Sequence, residues 1–107
     1  MSERITYTQV EKLTEGKDRT MARLIEQTCE DINRAEERIR TLLAQVASIA
    51  ERVQRALDEG GRMNSLGEFQ RTPAELDLAI AARQSAWETL GRLVGEEAAN
   101  ALAAGAA

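Results

Sequence analysis

Few residues in this 107-residue chain could do chemistry. It has no histidine and a single cysteine, Cys29. Without an imidazole, the usual general acid–base at neutral pH is missing, as are histidine–carboxylate metal motifs. A nucleophilic thiol needs an exposed, electropositive setting. Cys29 falls beside an apolar stripe, so it reads as a small buried hydrophobe. Glu26, Glu30 and Glu37 lie along one side of a helical stretch, but arginines are interleaved and no Asp-rich calcium loop is present. The glycine-rich run GGRMNSLG lacks the lysine and the preceding strand of a phosphate loop. These residues point to no catalytic group, metal, cofactor or small-molecule substrate, and an enzyme is not expected.

The elements around them are more informative. Ile25, Ile32, Ile39, Val46 and Val53 recur every seven residues. Three positions on stand Thr28, Ala35, Leu42, Ile49 and Ala56; four positions on stand Cys29, Glu36, Leu43, Ala50 and Leu57. On a helix these three sets cover an arc of about 100°, wider than a two-stranded coiled-coil seam and suited to more than one neighbour. Glu30–Arg34, Glu36–Arg40 and Glu51–Arg55 are Glu-then-Arg pairs four apart, which keep the other side soluble. Asp18 is a suitable N-cap, and Asp58-Glu59-Gly60-Gly61 is a stop signal. The spacing predicts a long first helix over 18–58. Residues 1–17 form an arm or a short helix capped by Thr8, using Val10 and Leu13.

Residues 59–72 read as the connection, with Met63, Leu66 and Phe69 spaced to tuck under one end. Thr72-Pro73-Ala74-Glu75 is a capping box with proline at the first helical position, so the second helix is expected over 73–100. Its apolar set is Leu76, Ala79, Ile80, Ala86, Trp87, Leu90, Leu93, Val94, Ala101 and Leu102. Arg83 and Glu97 interrupt it, with Glu97 expected near Glu36 and Arg38. Residues 101–107 are expected to fray. Gly91 and Gly95 match a small-residue helix-contact spacing, which also weakens a helix end.

The expected fold is therefore all-α: a long, coiled-coil-like antiparallel helical hairpin in one domain. Facing residue numbers would total about 133, setting Trp87 on Val46, Leu90 on Leu43 and Val94 on Ile39. In that register the start of helix 1 has no partner unless Ile5, Val10 and Leu13 fold back. The packing stripe, and the candidate interaction surface, is Ile25, Ile32, Ile39, Leu42, Val46, Ile49, Val53, Ile80, Trp87, Leu90 and Val94. One copy does not obviously cover it, so completion to a bundle by self-association or by another helical protein is expected. Trp87 is either a core anchor or a partner hot spot.

Composition narrows the partners. The chain has 14 basic and 18 acidic residues and no basic patch, which argues against nucleic acid. No apolar run approaches a membrane span, and MSERITYTQVEK lacks the apolar core of a secretory signal. A lone cysteine fits a reducing cytoplasm. Only Lys12 and Lys17 are lysine among the basic residues.

Two resemblances follow. The tail NALAAGAA is similar to the small apolar C-terminal tags read by bacterial AAA+ proteases, such as the ALAA ending of the tmRNA-encoded tag; Gly105 departs from that pattern. The resemblance implies rapid turnover. The length and two-helix plan look like the small type VII secretion substrates with a Trp-x-Gly turn. Here, however, the turn GGRMNSLGEF has no tryptophan, and Trp87-Glu88-Thr89 lies within helix 2. The leading expectation is a non-enzymatic structural or adaptor protein of a bacterium or bacteriophage, in the cytoplasm or a phage particle. A small secreted hairpin is the alternative.

Overall fold

The computed structural model describes residues 4–60 and 66–105, with side chains over 4–60 and 71–105. The described residues form four helices and no strand: α1 Tyr7–Thr14, α2 Arg19–Asp58, α3 Leu66–Val94 and α4 Glu96–Ala103. The molecule is elongated, 63 × 22 × 19 Å, with a radius of gyration of 18.5 Å.

Local chemistry sets most of the helix ends. α1 is capped by Thr6, not Thr8: the Gln9 amide donates to the Thr6 hydroxyl and the Thr6 amide to Gln9 Oε1. The chain breaks at Gly16, whose φ of +71° favours glycine. α2 starts as the spacing predicts, with the Met21 amide donating to the Asp18 carboxylate at 2.8 Å. It stops at Asp58, and Gly60 takes a left-handed φ.

α3 departs from expectation. It begins at Leu66, so Pro73 lies inside it and the Thr72–Glu75 capping box does not open it. An interior proline removes one hydrogen bond and typically costs about 3 kcal/mol. Against that, the extended helix packs on α2 and buries Thr72. The expected tuck of Met63, Leu66 and Phe69 lies outside the described side chains.

The pairing is shifted as well. Glu36 meets Arg83 at 3.4 Å and Arg38 meets Glu75 at 3.3 Å, totals of 119 and 113 where about 133 was expected. The shift is about four turns. Contacts run in reverse order along the two helices: Ile39 and Leu42 pack with Leu76 and Ala79, whereas Ile25, Cys29 and Ile32 pack with Leu90 and Trp87. Trp87, Leu90 and Val94 thus join the cluster around Ile25, not Val46, Leu43 and Ile39. Arg83, not Glu97, reaches Glu36, and Glu97 is exposed in the first turn of α4.

The start of α2 is therefore covered from three sides. α3 supplies Leu90, Leu93 and Val94; α4 supplies Leu102; the arm supplies Ile5, Val10 and Leu13. The Asn33 carboxamide holds the arm at both polar atoms of one residue: Ile5 N–H donates to Oδ1 at 2.8 Å and Nδ2 donates to the Ile5 carbonyl at 3.0 Å. Gly95, with φ of +96°, separates α3 from α4. The expected fraying from residue 101 gives way to helix as far as Ala103, with Leu102 buried.

Candidate interaction surface

The structure divides the predicted stripe into an inside and an edge. Ile25, Ile32, Ile39, Leu42, Ile49 and Leu90 are buried core residues. Val46, Val53, Trp87 and Val94 are half-buried. Ile80 lies at the edge, 38% exposed. Most of the stripe is thus spent on the chain's own packing.

The large apolar side chains that remain open are different residues. Leu78 is 72% exposed, Leu57 58% and Leu43 52%; Leu24 and Tyr7 are also exposed. Leu43 and Leu57 belong to the set four positions beyond Ile39 and Val53, so periodicity marks them as apolar but not as open. Leu78 falls outside the stripe. Its signal is the run Ala74-Glu75-Leu76-Asp77-Leu78-Ala79-Ile80-Ala81-Ala82, apolar on nearly every side of a helix. A helix of that kind has more apolar surface than one neighbour can cover.

Two of the grooves beside α3 are the larger ones. One, of roughly 570 Å³, is lined by small residues of α3 from Ala79 to Ala86 and, on α2, by Thr28, Ala35 and the charged Asp31, Arg34 and Arg38. The other, of roughly 700 Å³, runs beside Trp87 past Gly91 to Ala99 on α4. One side of the Trp87 ring therefore packs on the core while the residue also borders open space. A Cβ added at Gly91 would meet nothing within 4 Å, so this glycine permits no close helix approach.

Polar groups are arranged for support. Glu36 is 5% exposed and accepts from Arg83, tying α2 to α3 across the core boundary. Arg34 pairs with Asp31 at 3.5 Å, not with Glu30 as the four-residue spacing suggests. Cys29 is 1% exposed, and burial pushes its thiol up from 9.0 to about 11. A thiol so raised is protonated and inert at neutral pH. Among the described residues no group of three or more His, Cys, Asp or Glu could hold a metal ion, and no helix is long and apolar enough to cross a membrane. Comparison with known protein families, curated proteins and solved structures finds no match.

Proposed function

We propose that this chain is a non-enzymatic structural or adaptor protein that works by helix–helix packing. In this reading the antiparallel pair α2–α3 is a coiled-coil-like hairpin, completed to a bundle by a second copy or by another helical protein. Assembly in a bacterium or bacteriophage is the setting we expect. The observation that carries the reading is the set of open aliphatic side chains on both long helices: Leu43 and Leu57 on α2, Leu78 and Ile80 on α3. Full burial of such a side chain is worth about 1.5–3 kcal/mol. Covering several is a large gain against a typical total stability of about 5–15 kcal/mol.

The test has two arms. Light scattering on the pure chain is expected to give a mass above the 11.8 kDa of one copy. A photo-crosslinking residue at Leu43 is expected to give an adduct, with a second copy or with another helical protein in cell extract. A chain that stays single and gives no adduct overturns the reading.

A further inference from the structure

A row on the open side of α3 is Ala74, Leu78, Ala81 and Ser85, with Ala82 beside it; all five are exposed, and Ala82 and Ser85 also border the groove next to α2. On a surface helix this row ordinarily carries charge. Here it carries none over about three turns; Glu75 and Asp77 lie to either side of it. Leu78, the most exposed large aliphatic residue among those described, stands near its middle. One turn beyond each end is a charged side chain, Arg71 before Ala74 and Glu88 after Ser85, both exposed. Neither has an ion-pair partner among the described residues.

The ends are opposite in sign, and the row is balanced about its centre. Arg71 lies as far before the midpoint of Leu78 and Ala81 as Glu88 lies beyond it. Ala74 and Ser85 are matched about the same point. A two-fold axis through that midpoint superposes the row on itself with α3 antiparallel to its copy. Arg71 then faces the partner's Glu88 at one end, and the partner's Arg71 faces Glu88 at the other. Leu78 seats over the partner's Ala81, where small side chains let the backbones approach.

We infer that this row is a self-docking surface, and that its occupant is α3 of a second copy in an isologous, antiparallel dimer. The inference rests on the packing function proposed above and selects one partner within it. The charges set register and orientation, and the apolar row between them supplies the contact.

Charge reversal tests it. The full chain would be followed by light scattering at low ionic strength, with circular dichroism confirming helicity. Arg71→Glu and Glu88→Arg should each raise the dimer dissociation constant about tenfold or more, because each sets like charges together at both ends. The double variant Arg71→Glu/Glu88→Arg should recover the dimer. An equimolar mixture of the two single variants should also recover it, since every end contact is then between unlike charges. A wild-type chain that is monomeric at all concentrations overturns the inference, and the packing reading then depends on the Leu43 crosslink to another protein. A dimer indifferent to both reversals, or one weakened by them and not rescued in the mixture, overturns this surface and register while self-association stands.

Discussion

At the scale of single residues, the buried polar and thiol groups make the sharpest predictions. Folding raises the Cys29 thiol from 9.0 to about 11. The unfolded chain therefore loses this proton first as pH rises. The stability tied to the neutral thiol is complete below pH 9.0 and disappears as pH climbs through about 11. The excess stability of wild type over Cys29→Ala should fall across that window by at most roughly 2–3 kcal/mol, read by urea unfolding. A constant difference would contradict the burial. Arg83 supplies a second case. Replacing it with methionine keeps the stem but takes a guanidinium from the buried Glu36 carboxylate. A loss of about 1–3 kcal/mol is expected by thermal or urea unfolding.

At the scale of elements, the arm and the α3–α4 joint can be tested separately. Asn33→Ala removes both hydrogen bonds to Ile5. Amide exchange over 4–14 should speed up about thirtyfold, with the middle of α2 still protected, because each of the two bonds contributes about 1 kcal/mol. Gly91 has helical backbone and free space at its Cβ position, so Gly91→Ala should stabilise by about 0.5–1 kcal/mol. Gly95→Ala should do the opposite, since φ of +96° strains any side chain. Differential scanning calorimetry of the two variants checks both signs. The same elements show what could be read in advance. α2 was fully legible, because the seven-residue repeat, Asp18 and the Asp58–Gly60 stop all agree. α3 was legible as a helix but not in its start. Thr72-Pro73-Ala74-Glu75 is a sound local signal, yet α3 runs through it, with Thr72 buried and the helix packed along α2. The pairing also lies some four turns from the expected register, which carries Trp87, Leu90 and Val94 with it. The interaction surface was less legible still. A repeat identifies apolar residues, but only register shows that Ile25 is covered while Leu43 is open. Leu78 was hidden because it breaks the period.

At the scale of the whole molecule, the two ends are built differently. Around Ile25 the arm, α2, α3 and α4 close a core; around Leu43 and Leu57 the described residues leave α2 open on one flank. Changing Leu43 and Leu57 to glutamine should leave the unfolding energy of a single chain within about 1 kcal/mol, since surface changes cost little. If that flank packs against a partner, the same variant should lower the mass seen by light scattering. A variant that unfolds the single chain would place both leucines in the core instead.

The 63 Å long axis bears on how any such mass is read. A round protein of this length would have a radius of gyration of about 13 Å, against 18.5 Å here. A rod of these proportions feels more friction in water than a sphere of equal mass. It should leave a sizing column early, ahead of globular standards of 11.8 kDa. Retention volume would thus overstate the mass of one molecule, and a method indifferent to hydrodynamic shape is the one that tells a solitary rod from a pair.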